Sequence, residues 1–291
     1  MNVIASIGNT ELILVEARKV ARQLRQDKPS RLAMLALCRS LLASSAPPHP
    51  LKTLWLRLSL LDVDERHYWI GTFYTLLLPP NERTAQAAYF TPPHLARGLV
   101  ELVQRQGFDP KAHTAIDPAA GGASFLSTIV GSMLGAGLHT TTILKRLRGY
   151  EIDPALALLS ESLVADRTGA PVSKGALVEV RDSLSIRPQA RYDLVIANPP
   201  YGRLSPTELA DESWRKVCHP GHVNKYALFA ELCFRLVRKE GLVALVLPSS
   251  FVAGPLYGRL RSHIRSKGEI LTLSSVTKRD DVFIDVAQDI S

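Results

Sequence analysis

The first part of the chain places apolar residues at helical spacing. Ile13, Ala17, Val20, Ala21 and Leu24 fall on one face, with Glu16, Arg18, Arg22 and Arg25 elsewhere. The pattern predicts helix over 9–43, with a second helical run within it at about 31–43. The segment 44–50, Ser-Ser-Ala-Pro-Pro-His-Pro, reads as a loop. Helices are expected again at 51–60 and 64–78, stopped by Pro79 and Pro80.

After about residue 110 short apolar strands alternate with helices. Runs at 113–116, 148–152, 175–180, 192–197 and 241–247 read as strands, with helical runs at 124–135, 154–166 and 224–238. That alternation predicts a parallel sheet with helices on both faces. Near the end, 269–276 and 282–290 flank Lys278-Arg279-Asp280-Asp281 and read as a hairpin. The expected fold class is therefore α/β, with a mostly parallel seven-stranded sheet. A helical extension over 1–82 precedes the main domain, 83–291.

Composition narrows this only a little. A length of 291 residues, 46% hydrophobic and 21% charged, suits a globular chain with a sizeable core. A formal charge of +8 favours an anionic partner such as nucleic acid. Cys38, Cys218 and Cys233 are too few for a disulfide scaffold and fit a reducing, cytoplasmic setting. Cys218, His219 and His222 lie close together without a fourth ligand, so no metal is expected. The first twenty residues carry Glu11, Glu16, Arg18 and Lys19 and no long apolar run, so no membrane span is expected. Arg259, Arg261, Arg265 and Lys267 form a basic cluster that contacts phosphate or faces solvent.

The chemistry gathers at strand ends. The apolar run Tyr192-Asp193-Leu194-Val195-Ile196 enters Ala197-Asn198-Pro199-Pro200-Tyr201, where two prolines freeze the backbone as it leaves the sheet. An amide and a ring are thereby held at the carboxyl edge, where open α/β folds bind their ligands. Upstream, Ala115-Ile116-Asp117 is followed by Pro118-Ala119-Ala120-Gly121-Gly122-Ala123 and a helix start. This loop lets a ligand approach the backbone. It matches neither phosphate-loop pattern, so an amino-acid-like or nucleoside ligand is favoured over a nucleotide phosphate. Glu151 closes the next strand, in position for a ribose diol, and Asp182 lies just past the third, in position for an adenine amino group.

Taken in order, Asp117 to Gly122, Glu151-Ile152-Asp153, Asp182 and Asn198-Pro199-Pro200-Tyr201 resemble the S-adenosylmethionine-dependent adenine-N6 DNA methyltransferases. Tyr89-Phe90-Thr91-Pro92 resembles that family's cofactor motif, and its place ahead of the loop resembles the gamma class, shared with type I modification subunits. Asn224-Lys225-Tyr226-Ala227-Leu228-Phe229 and the strand after Lys239 resemble later motifs, and Val282-Phe283 the Val-Phe motif. The resemblance covers about 83–290. It implies a Rossmann-like methyltransferase domain acting on DNA within a restriction–modification or phage-defence system.

By the same resemblance, Tyr89, Thr91 and Pro92 would lie along the methionine end of the cofactor. Asp117, Ala119 and Gly121 would hold its amino-acid moiety, Glu151 its ribose, and Ile152, Asp182 and Phe229 its adenine. Asn198 and the Pro199 carbonyl, with Pro200 shaping the turn, would accept bonds from the target amino group. Tyr201 and Phe283 would flank the target base. The family's usual loop has serine where Gly122 stands and glycine where Ala123 stands, so a positive φ at Ala123 would strain it. Asn-Pro-Pro-Tyr also serves enzymes that methylate ribosomal RNA or protein glutamine, and a non-catalytic scaffold is a further alternative. Family members of this layout usually continue into a target-recognition domain, so either a truncated form of such a protein or a separate specificity or target-recognition subunit is expected.

Overall fold

The computed structural model describes residues 3–79, 82, 90–171, 173, 175–209 and 212–274. Four helices come first: α1 (Val3–Leu24), α2 (Arg31–Ser40), α3 (Lys52–Leu58) and α4 (Val63–Leu77). The expected helix over 9–43 is interrupted where Lys28 takes a φ of 46°, and α2 restarts from Ser30, whose hydroxyl accepts the Ala33 N–H. Asp62 caps α4 in the same way through the Glu65 N–H. Helix α5 (Pro93–Arg105) was not foreseen; it opens on prolines, which suit a first helical turn.

The remaining elements mostly alternate strand with helix as expected, apart from an unforeseen short helix over Thr140–Arg146. They are β1 (Ala115–Asp117), α6 (Ser124–Gly135), α7 (Thr140–Arg146), β2 (Leu147–Glu151), α8 (Pro154–Thr168), β3 (Val178–Val180), β4 (Tyr192–Ala197), α9 (Lys225–Leu236), β5 (Val237–Leu245) and α10 (Gly258–Lys267). The sheet runs β3-β2-β1-β4-β5 and every neighbouring pair is parallel. The chain builds outward from β1 to β3, then returns to β4 on the other side of β1. That reversal opens a crevice at the carboxyl ends of β1 and β4.

The described residues hold five strands, which corrects the expected seven. Residues 269–274 are exposed and pair with no strand among the described residues, and the rest of the expected hairpin lies outside them. Within the sheet, alternate residues face opposite cores. Ala115, Leu194 and Ile196 join the core that holds α5 and α6, while Ile116, Val195 and Ala197 join the core that holds α9.

Helix α8 serves two cores at once. Ala157 and Val164 pack toward the sheet, whereas Ala155, Leu156, Leu159 and Leu163 pack with α1, α2 and α4. Polar ties follow the same seam. The Tyr74 hydroxyl donates to Asp153 at 3.0 Å, and Asp166 takes both Arg66 at 2.5 Å and His67 at 2.9 Å. Asp153 also caps α8 through the N–H groups of Ala155 and Leu156.

Candidate cofactor and catalytic site

The loop between β1 and α6 is tied down along its backbone. The Ala119 N–H donates to the Asp117 carboxylate at 2.9 Å, and the Ala120 N–H to the Tyr150 carbonyl at 2.9 Å. The Gly121 N–H donates to Glu151 Oε2 at 3.0 Å, and the Gly121 carbonyl accepts the Ser160 hydroxyl at 2.5 Å. Gly121 has a φ of 50° and Ala123 a φ of 58°. The alanine therefore does fall on a left-handed position, which costs an L-residue about 1–2 kcal/mol. It is held there with its methyl fully buried, at 0% exposure, in the core of α5 and α6.

The two acids of this corner are strained electrostatically. Asp117 is 2% exposed, and burial pushes its carboxyl up to about 7; the Ala119 bond offsets part of this and the Glu151 charge adds to it. Burial also raises Glu151 to about 7, against hydrogen bonds from Asp153 and Gly121. A buried carboxyl beside a half-buried one, so placed, favours a cationic ligand.

Across the crevice, β4 delivers Asn198. Its Nδ2 donates to the Thr91 hydroxyl at 3.3 Å, and its Oδ1 accepts the Tyr201 hydroxyl at 3.2 Å. Thr91 is buried and immediately precedes the two prolines that open α5. A small, open cleft is lined by Phe90, Thr91, Asp117, Gly121, Ser124 and Asn198, among others. The structure thus brings together Thr91, Asp117, Ala119, Gly121 and Asn198 around one cleft, with Glu151 joined through Gly121 and Tyr201 through Asn198.

The other expected residues are spread around this centre. Pro92 and Pro199 are buried and Pro200 is half-buried. Ile152 stands 66% exposed at the end of β2, an apolar surface available to a flat ring. Phe229 packs beneath the sheet in the same cluster as Ala119 and Leu184. Asp182 is exposed and caps its own turn, accepting the Leu184 N–H at 3.0 Å and the Ser185 hydroxyl at 2.5 Å. Tyr201 is half-buried, its ring 6.3 Å from that of Tyr226. Tyr89 and Phe283 lie outside the described residues.

Two features went unread in the sequence. Ser160, on α8, holds the loop by its Gly121 carbonyl, and nothing in the sequence around it signals that contact. Phe90 lines the cleft, and its place inside the motif before Thr91 was the available signal. The basic cluster on α10 is partly consumed by structure. Arg259 donates to the carbonyls of Arg215 and Cys218, and Arg261 to those of Phe251 and Gly254. Among the described residues no group of three or more His, Cys, Asp or Glu side chains could hold a metal ion. None of the described helices is long and apolar enough to cross a membrane.

The parallel order around a β1/β4 crevice, with a small-residue loop and carboxylates at successive strand ends, defines the S-adenosylmethionine-dependent methyltransferase fold. A candidate class I methyltransferase of Listeria monocytogenes shares it at a TM-score of 0.53 and 18% identity, over 89% of this chain and 79% of that one. The type IIG restriction endonuclease BpuSI shares it at 0.53 and 17% identity, over 89% and 33%.

Sequence similarity is more particular. Residues 162–283 match the Eco57I restriction-modification methylase family model. The type II methyltransferase M.BsuBI of Bacillus subtilis is 27% identical over 170 residues, 56% of this chain and 33% of that protein. M.TthHB8I of Thermus thermophilus, also a type II methyltransferase, is 28% identical over 194 residues, 61% and 38%. The chain is thus similar to restriction-modification methyltransferases and spans about a third of the length of these two relatives.

Proposed function

We propose that the protein transfers a methyl group from S-adenosylmethionine to the N6 amino group of adenine in DNA, within a restriction–modification system. The observation that carries the reading is the placement of Asn198 between Thr91 and Tyr201, on the cleft that also holds the Asp117 loop. The cofactor fits the residues present: the buried Asp117 suits its ammonium group, Glu151 its ribose hydroxyls, and the exposed Ile152 its adenine. Thr91, Pro92, Asp117, Ala119, Gly121, Glu151, Ile152, Asp182 and Phe229 are assigned to hold it, with Tyr89 preceding them. When bound, the cofactor supplies an electrophilic methyl group on sulfur.

The protein's part is to make a poor nucleophile available. An exocyclic amine delocalises its lone pair into the ring. The Thr91 hydroxyl takes the Asn198 Nδ2, which leaves Oδ1 to accept an N–H of the target amine. A second acceptor is assigned to the Pro199 carbonyl, beside it on a backbone stiffened by two prolines. Acceptors on both hydrogens favour the pyramidal amine, so rate comes from positioning and electrostatics. A base stacked in a duplex cannot reach this cleft and must be flipped out. Tyr201, with Phe283, is assigned to receive it, and stacking returns about 1–3 kcal/mol per base.

DNA is the proposed partner, in the cytoplasm. A separate specificity or target-recognition subunit is proposed to choose the sequence, which fits an α10 whose arginines are partly spent on carbonyls. The test is transfer of tritiated methyl from S-adenosylmethionine to DNA, RNA and release-factor protein side by side, with any specificity subunit supplied. Label recovered as N6-methyladenine in DNA is expected; label confined to RNA or protein would overturn the reading.

A further inference from the structure

Phe90 lies between two glycines from distant parts of the chain. Gly71 belongs to α4, and Gly122 to the loop after β1. A Cβ placed on Gly71 would stand 2.7 Å from Phe90 Cε1 and 2.8 Å from its Cδ1. One placed on Gly122 would overlap the same two atoms. Neither glycine has a positive φ, so backbone conformation does not require either. What both positions require is the absence of a side chain. Gly71 makes the point most sharply, because an interior helical glycine is disfavoured relative to alanine.

The ring cannot easily give way. Phe90 is 8% exposed and belongs to the core formed by α1, α2, α4 and α8. Its neighbour Thr91 takes the Asn198 amide, and the ring itself lines the cleft beside Asp117 and Gly121. One side chain thus bridges a helix of the N-terminal segment and the loop, and the residue after it holds Asn198. It also accounts for the missing hydroxymethyl at residue 122, since a serine there would collide with the ring.

We infer that Phe90 is a positioning residue for the cofactor loop: its ring, held in the slot between Gly71 and Gly122, sets the place of that loop and of Thr91, and makes α4 a working part of the cofactor site. The inference rests on the S-adenosylmethionine reading of the cleft. Two consequences distinguish it from ordinary core packing. Enlarging either glycine should harm cofactor binding, and shrinking Phe90 in the same molecule should repair that harm.

The experiment is a pair of double-mutant cycles on the full chain, reading S-adenosylmethionine affinity by calorimetry and melting temperature in parallel. Gly122→Ser is expected to weaken cofactor binding at least tenfold, and Phe90→Ala combined with it to recover most of the loss. Gly71→Ala, a change that favours helix, is expected to weaken binding several-fold and to be rescued likewise. Parent-like binding by both glycine variants, or no rescue in either cycle, would overturn the inference. If Gly122→Ser does not fold by circular dichroism, the Gly71→Ala cycle decides. If the parent chain binds no S-adenosylmethionine, the functional reading fails instead. The slot is then judged on melting temperature, where non-additive cycles support it and additive ones sink it.

Discussion

The side-chain amide of Asn198 donates to the hydroxyl of Thr91 at 3.3 Å, across 107 positions of sequence. The bond gives the amide one orientation and leaves Oδ1 as the acceptor. Thr91→Val keeps the shape and removes the bond. A neutral hydrogen bond of this kind contributes about 0.5–1.5 kcal/mol, so kcat is expected to fall by up to about tenfold. Cofactor affinity should change less than kcat. Asn198→Ala should abolish single-turnover transfer while calorimetry still detects the cofactor; simultaneous loss of both would contradict the assignment.

Tyr201 has two separable properties. Its hydroxyl donates to Asn198 Oδ1 at 3.2 Å, and its ring is assigned to the target base. Tyr201→Phe retains the ring and frees the acceptor, so kcat/KM should stay within a few-fold of the parent. Tyr201→Ala forfeits stacking of about 1–3 kcal/mol, roughly a 5- to 150-fold loss in kcat/KM. Equal activity of the two variants would remove the ring from the base pocket.

The raised carboxyls of Asp117 and Glu151 predict a pH dependence with a definite sign. Both are pushed to about 7, from 3.8 and 4.5. Between those limits the folded chain holds protons that the unfolded chain has released, so stability should fall as pH rises from about 4 through 7. Cofactor affinity should move the opposite way, rising from pH 6 to 8 as the pair ionises toward a cationic ligand. Urea unfolding at pH 5 and pH 8, with calorimetry across the range, reads both. Asp117→Asn should flatten both profiles, and an unchanged slope would remove the pair as their cause.

Ala123 sets two magnitudes against each other. Its left-handed backbone costs about 1–2 kcal/mol, while its buried methyl contributes about 0.8 kcal/mol and a glycine would add unfolded-state entropy. Ala123→Gly should therefore change unfolding free energy by less than about 1 kcal/mol, by the balance of those same terms. Ala123→Val puts a branched side chain at φ 58° in a closed core and should destabilise by more than about 2 kcal/mol. Denaturant melts of both variants test this.

Much of the sheet was legible because its signals are local. Residues 192–197 read as a strand and are β4, and the helix at 124–135 is α6. Positions that end strands were legible for the same reason, and the cleft gathers Asp117 and Asn198 from adjacent strands. Helix α5 was hidden by its opening prolines, and α7 by the threonines at 140–142, which favour helix weakly. The conditional reading of Ala123 depended on a dihedral angle that no residue pattern reveals. The hold of Ser160 on Gly121 depends on where separate elements meet, and alternation of apolar residues carries no trace of that.

Helix α8 has an apolar surface on two sides, and this bears on how such a chain can be inherited. A recombination event that carried off the sheet without α1 to α4 would turn Leu159 and Leu163 toward water and leave Asp153 without Tyr74 and Arg31. The seam passes within one helix of the loop after β1, so there is no clean cut between the helices and the cleft. Exchange among such proteins would have to move both together, and the helices would travel with the chemistry they brace.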